Sequence, residues 1–213
     1  MQTTLFIIRH GKSEGNLIRK FQGHDDTPLS DVGREQAQLL KEKLRDTMVD
    51  AVYHSPLKRA KTTAQIVFGG NNGSFKEEPL LIERNFGVFD GLTLEEAKKI
   101  HDKAEDFYML RLVDLDLDGV ESLSSVQNRA LATVEKIVKE NKGKTIAIVT
   151  HNFWIKSFLS RILDLPFEEV QKNSVRTTSV TTVAAEEKDG KLIFEVKEIG
   201  DKTHITGHEH LDF

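Results

Sequence analysis

Short apolar runs and longer amphipathic stretches alternate along the chain. Residues 3–9 are apolar and β-branched and predict a buried strand. Ser30 to Arg45 places Leu39, Leu40 and Leu44 at helical spacing. Ala51 to His54 predicts a short strand. Ser55 and Pro56 have the chemistry of an N-cap and first-turn pair, opening a helix to about Val67. The stretch FGGNNGSF, residues 68–75, predicts a loop. Thr93 and Glu96 have capping-box spacing before a helix from Leu94. Ser122 to Glu140 predicts a long amphipathic helix with Val126, Leu131, Val134, Ile137 and Val138 along one side. Thr145 to Thr150 predicts a second buried strand, followed by a helix over Asn152–Leu163. Two late strands, near Thr177–Ala185 and Leu192–Glu198, flank a Lys-Asp-Gly turn.

Strand–helix alternation with continuously apolar strands predicts an α/β fold. The expected form is a three-layer α/β/α sandwich with a mainly parallel central sheet. Strand order is not readable from the pattern. No linker composition or fixed-period repeat interrupts the chain, so residues 1–213 are expected to form a single domain. A small helical and loop lid is expected at about 84–118.

Composition narrows the function classes. The 213 residues are enough for a substantial core. No apolar run approaches the roughly 20 residues that span a bilayer, and the N-terminus lacks a signal-peptide pattern. The absence of cysteine excludes disulfides, zinc–thiolate sites and a cysteine nucleophile. It fits a reducing cytoplasm, the expected location. A net charge of −4 gives no general attraction to nucleic acid or anionic membranes, and neither is expected as a partner.

Two strands end alike. LFIIRHG (5–11) and IAIVTHN (146–152) each run from apolar residues through one polar residue to a histidine, then towards a helix. His10 and His151 therefore sit at carboxyl ends of strands, where open α/β sheets bind ligands. A lone histidine there is ordinarily a hydrogen-bonded surface residue; two in one context favour a shared site. Arg9 beside a buried strand end needs an anion or acceptors. Helix N-termini beyond both histidines add N–H donors and positive dipole. Together these favour an anionic group such as phosphate. Arg59, in the first turns of its helix, can point back over the sheet end, although a solvated arginine is the ordinary outcome. Glu83, in the loop LIERNFGVFDG, is placed to act as an acid, although a solvent-facing carboxylate is the default.

At these residues the chain resembles the histidine phosphatase superfamily, the phosphoglycerate mutase-like proteins. The opening motif is Arg9-His10-Gly11-Lys12-Ser13 with Asn16. QGHDDTPLSDVGREQA, SPLKRAKTTA, LIERNFGVFDG, GVES at 119–122 and IVTHN follow in family order, and GDKTHI near the end also looks familial. These blocks cover nearly the whole chain.

The resemblance implies a phosphatase that hydrolyses small phosphorylated metabolites through a phosphohistidine on His10, with no metal and no cofactor. Phosphate or sulfate is an expected occupant. Arg9, Arg59 and His151 would surround the phosphoryl oxygens, and Glu83 would protonate the leaving oxygen. Gly11, Ser13, Asn16, Gln22, Gly23, Arg84, Asn85, Phe86 and Asn152 would bind substrate, with Arg84, Asn85 and Phe86 towards its organic part. Two positions depart from the pattern. Lys12 stands where Glu or Gln is usual, and Asn152 where Gly is usual. The alternatives are a phosphoglycerate mutase and a catalytically weak phospholigand-binding module. The compact stretch between Glu83 and Val120 favours an open site and hydrolysis over transfer.

Other signals are weaker. DLDLDG at 114–119 matches half of a calcium loop, but its twelfth position is Ser125, so a solvated lid segment is expected. His204, His208 and His210 are expected in a polar tail, and Trp154 in helix packing.

Overall fold

The computed structural model describes residues 1–70, 74–109, 114 and 116–211. Strand β1 (Thr3–Arg9) leads through a short α1 (Glu14–Leu17) to α2 (Asp31–Leu44), β2 (Ala51–His54), α3 (Lys58–Phe68) and β3 (Ser74–Glu77). Then come α4 (Leu94–Ile100), α5 (Ala104–Tyr108), the long α6 (Leu123–Glu140), β4 (Thr145–Thr150), α7 (Asn152–Leu163) and α8 (Phe167–Val170). The strands β5 (Val180–Lys188) and β6 (Lys191–Asp201) close the sheet.

The sheet order is β3-β2-β4-β1-β5-β6. The first four strands are parallel, and β5 and β6 are antiparallel additions. Side-chain alternation along β1 makes the three layers. Leu5 and Ile7 join Val134, Ile137, Trp154 and Phe158 of α6 and α7 on one face. Ile8 joins Ala37, Leu40, Ala60 and Ala64 of α2 and α3 on the other. Trp154 is fully buried, as helix packing predicts, and donates its indole N–H to the Leu80 carbonyl at 2.9 Å. A third apolar cluster, with Phe21, Phe89, Leu94, Ala97, Ala104 and Phe107, lies apart from these two.

Several helix starts follow the expected chemistry. Ser30 caps α2 through Gly33 N–H, Ser122 caps α6 through Ser125 N–H, and Thr93 with Glu96 forms the capping box of α4. Three expectations are corrected. The α3 N-cap is Leu57 rather than Ser55; the Ser55 hydroxyl accepts from the Leu57 N–H at 3.3 Å just before the helix and also meets His151. The loop expected at 68–75 overlaps β3, an exposed edge strand whose residues lack the apolar alternation of a buried one; residues 71–73 lie outside the described residues. The strand expected from Thr177 starts at Val180, because Thr178 has φ 57° and cannot continue a ladder.

The acidic segment 114–119 falls partly outside the described residues. The described Asp114 bonds Arg84 and the Leu123 N–H through one oxygen. The C-terminal segment is less free than a polar tail. Ile205 and Leu211 are buried, and the Gln36 amide donates to the Leu211 carbonyl at 2.8 Å. No helix among the described residues is long and apolar enough to cross a membrane.

Candidate active site

The parallel register of β1 and β4 pairs Arg9 with Thr150, so the next residues stand side by side. His10 N–H continues the ladder to the Thr150 carbonyl at 2.9 Å. The His10 and His151 rings lie 5.1 Å apart. His10 Nδ1 is 2.7 Å from the Gly11 carbonyl. A carbonyl only accepts, so Nδ1 carries the proton and Nε2 keeps its lone pair. Burial, then Arg59, then Arg9 lower the His10 pKa well below 6.5. The ring is therefore neutral at neutral pH, with a lone pair available on Nε2.

His151 is held by a group from a third strand. Its Nε2 lies 2.7 Å from Ser55 Oγ, directly after β2. Its pKa is also lowered well below 6.5, first by burial and next by Arg59. Arg59 is fully buried at the start of α3. Its two terminal nitrogens donate to the carbonyls of Asp25, Gln22 and Gly23 at 2.7–3.0 Å. Arg9 donates through Nη1 to Val175 O at 2.8 Å, and its pKa falls to about 10, chiefly by burial. Arg9 Nε, Arg59 Nε and His151 Nδ1 are buried without a hydrogen-bond partner among the described residues. Native interiors rarely leave such atoms unsatisfied. Their grouping beside His10 fits a bound anion.

Glu83 occupies the N-terminus of α7. The N-cap residue, His151, makes no side-chain cap. The Glu83 carboxylate takes that place, accepting from Phe153 N–H at 3.1 Å and Trp154 N–H at 3.0 Å, and from Arg84 N–H at 3.0 Å. One helix N-terminus thus orients the candidate acid beside the second histidine.

A cavity of about 230 Å³ opens onto Arg9, His10 and Glu83, while the fully buried Arg59 and His151 stand behind its wall. Arg9, His10, Asn16, Gln22, Glu83, Phe86 and Asn152 line it, with Lys20, Phe21, Phe107, Tyr108 and Phe153. Residues 5–196 match the model of the histidine phosphatase superfamily (branch 1). The chain belongs to this superfamily.

It is similar to phosphoglycerate mutase-like protein 4 of Arabidopsis thaliana, 37% identical over 161 residues, covering 74% of this chain and 70% of that one. Among solved structures, YhfR of Bacillus stearothermophilus superposes with a TM-score of 0.86 at 33% identity, covering 95% of this chain and 99% of that one. A phosphoserine phosphatase of Entamoeba histolytica, solved with 3-phosphoglyceric acid, gives a TM-score of 0.78 at 27% identity, with coverage of 95% and 99%. The chain is a phosphomonoesterase of the histidine phosphatase type.

Not every residue that the histidine phosphatase pattern suggests lies in the cavity wall. Gly11 and Ser13 stand behind it. A Cβ on Gly11 would meet the Gly33 carbonyl at 2.6 Å, so the turn after His10 packs backbone to backbone on α2. Ser13 caps α1 and shares hydrogen bonds with Asn16 and Gln22, which do line the wall. Gly23 and Asn85 are tied to Asp90 and Glu121 through their amides. Arg84 turns away from the cavity. Its guanidinium lies between the Phe107 and Phe153 rings, 5.1 and 4.6 Å from their centroids, and bonds Asp114 and the Glu121 carbonyl. It props the apolar wall instead of facing the organic part of a substrate.

Sequence reading also leaves out residues that hold the site. Arg129 forms a two-pronged pair with Glu121 and donates to the carbonyls of Leu80, Ile82 and Glu83. Asp90 accepts from the N–H groups of Gly23, His24 and Phe86, tying the loop after α1 to the Glu83 loop. GVES and the FDG in LIERNFGVFDG contain Glu121 and Asp90, but Glu121 pairs chiefly with the Arg129 side chain and Asp90 with backbone amides, contacts that no spacing rule reveals. No cluster of three or more metal-ligating side chains occurs among the described residues.

Proposed function

We propose that the chain hydrolyses small phosphomonoesters without a metal, through a phosphohistidine on His10. In this reading Nε2 of His10 attacks phosphorus in line, the P–N bond forms and the ester P–O bond breaks. Arg9, Arg59 and His151 place positive charge and N–H donors around the phosphoryl oxygens. Glu83, a carboxylate in the free site, takes up the proton of the ester monoanion on binding and gives it to the leaving oxygen. As a carboxylate it then takes a proton from water, which attacks phosphorus and releases phosphate and free His10. Asn16, Gln22 and Asn152 are polar contacts in the wall. Phe86, Phe107 and Tyr108 meet the organic part, with residues 84–109 acting as a lid; residues 110–113 and 115 of the expected lid lie outside the described residues.

The observation that carries the reading is the 2.7 Å contact between His10 Nδ1 and the Gly11 carbonyl, which calls for the proton on Nδ1 and leaves Nε2 as a lone-pair donor beside Arg9 and Arg59. The test is turnover of p-nitrophenyl phosphate with and without EDTA, alongside His10→Ala. Phosphate release that survives EDTA and disappears in the variant is expected. Isomerisation of 3-phosphoglycerate with little release of phosphate would contradict it.

A further inference from the structure

Every backbone polar group of His10, Gly11 and Lys12 has a partner. The His10 N–H donates to the Thr150 carbonyl at 2.9 Å, and its carbonyl accepts from Thr178 N–H at 3.3 Å. Gly11 N–H donates to Thr63 Oγ1 at 3.0 Å. The Lys12 carbonyl accepts from the Ser30 N–H and hydroxyl at 2.9 and 2.8 Å. The remaining two groups bear on the nucleophile. The Gly11 carbonyl accepts from His10 Nδ1 at 2.7 Å, and Lys12 N–H donates to Gln36 Oε1 at 2.9 Å.

These two groups belong to one peptide unit. A trans peptide is planar, so its C=O and N–H point in opposite directions. An acceptor on Lys12 N–H therefore sets the direction of the Gly11 carbonyl. That carbonyl in turn decides which nitrogen of His10 carries the proton. Gln36 thus lies one peptide away from the ring that faces the cavity.

Gln36 is itself held on both sides. It lies on α2, three residues after Gly33, so the two share a helix face. A Cβ on Gly33 would collide with the Lys12 backbone, and its absence lets this face of α2 approach the turn. Gln36 is buried, and its Nε2 donates to the carbonyl of the buried Leu211 at 2.8 Å. A backbone N–H only donates and a carbonyl only accepts, so the amide has one satisfied orientation. Reversed, it would set an NH2 against the Lys12 N–H and an oxygen against the Leu211 oxygen. Such buried mismatches are rare in native proteins. The C-terminal segment, the Gln36 amide, the Gly11–Lys12 peptide and the His10 ring therefore form one continuous series of hydrogen bonds.

We infer that Gln36 is a positioning residue of the reaction. Through the Gly11–Lys12 peptide it holds the His10 proton on Nδ1 and keeps the Nε2 lone pair free for phosphorus. Gln36 is absent from the cavity wall and touches no substrate. This role rests on the phosphohistidine reading above and deepens it, naming what prepares the nucleophile.

The test compares the wild type, Gln36→Met and Gln36→Glu. Met has a similar length and removes both bonds, whereas Glu keeps an acceptor for Lys12 N–H. Nitrogen NMR of isotope-labelled histidine reads the His10 tautomer in the ligand-free protein, with the signal assigned by its loss in His10→Ala. Steady-state turnover of p-nitrophenyl phosphate reads kcat and KM. The wild type is expected to show protonated Nδ1. Gln36→Met is expected to show a mixture with protonated Nε2, and a kcat lowered about tenfold, the order of one lost buried hydrogen bond. Its KM should stay within about twofold, because the phosphate-binding cations are untouched. Gln36→Glu should keep the wild-type tautomer and recover most of kcat. An unchanged tautomer and kcat in Gln36→Met would overturn the role. So would equal losses in both variants, which would make Gln36 only an anchor for the C-terminal segment. Should Gln36→Met not fold, the wild type and Gln36→Glu decide: protonated Nε2 in either overturns the role, and protonated Nδ1 in both supports it. Turnover in His10→Ala separates the two claims. If it persists while the tautomer follows position 36, the phosphohistidine reading fails and the positioning stands. If it vanishes while the tautomer ignores position 36, the reading stands and the positioning fails.

Discussion

The two ends of the catalytic cavity are built on different principles. At the proposed phosphoryl end, Arg9, His10 and Glu83 line the wall, backed by the buried Arg59 and His151, and backbone carbonyls and Ser55 lock His10, Arg59 and His151 in place. In the rest of the wall, Phe86 of the Glu83 loop meets the rings of Phe107 on α5 and Phe153 on α7, and Tyr108 packs edge-on against Phe21. Directional hydrogen bonds fix the first end; apolar contact shapes the second. A reacting phosphoryl group demands fixed geometry, whereas an apolar wall tolerates substitution that keeps its volume. The chemistry should therefore be sensitive at one end and the substrate range adjustable at the other.

The sharpest way to break this contrast is at Arg9. Arg9→Ala removes a guanidinium whose Nε has no partner among the described residues. Turnover is expected to fall about a hundred- to a thousandfold, the cost of one lost transition-state donor, in steady-state assays. A loss of only a few fold would move Arg9 out of the phosphoryl end.

Next in size is Arg129→Ala. It leaves the partly buried Glu121 without its ion-pair partner and removes one donor from each of the Leu80, Ile82 and Glu83 carbonyls. Stability should drop by about 3 kcal/mol, read by urea denaturation. The kcat should fall with it, and activity should return only in part in Arg129→Lys, which cannot reproduce the two-pronged contact. A smaller effect is expected at the apolar end. Phe86→Ala should shift kcat/KM by less than about tenfold, unequally between aromatic and aliphatic phosphate esters. An equal shift would show that the wall does not meet the organic group.

Acid should separate the ends as well. His10 and His151 have pKa values lowered well below 6.5, so the unfolded chain binds protons that the folded one refuses. Their contribution to stability is full above about pH 6.5 and is lost as pH falls towards the folded values. His204, lowered to about 4 chiefly by burial, acts in the same direction. Thermal midpoints of the ligand-free protein should decline below about pH 6.5, and the slope should be shallower in His151→Asn. A midpoint that rises on acidification would contradict the neutral-histidine geometry.

The same contrast explains what the sequence reveals. Arg9, His10 and His151 are legible because an apolar strand that ends in a cationic or histidine residue is itself a pattern. The spans of α6 and α7 and the capping box of α4 are legible for a similar reason: spacing and capping are local. Ser55 reads locally as an N-cap, but its hydroxyl serves His151, 96 residues away in sequence. Arg84 reads as a loop cation, but two aromatic rings from distant helices enclose it. Strand β3 carries no buried face, so no periodicity marks it. What the sequence conceals are contacts that exist only after distant segments meet.

The most direct test of the account is to quench turnover of a phosphomonoester within a few milliseconds and map phosphorylated peptides by mass spectrometry under alkaline conditions, which preserve phosphohistidine. A phosphoryl adduct on the peptide containing His10 is expected, formed and lost at rates that match turnover and absent in His10→Ala. Full turnover with no adduct on His10, or undiminished turnover in His10→Ala, would contradict the account.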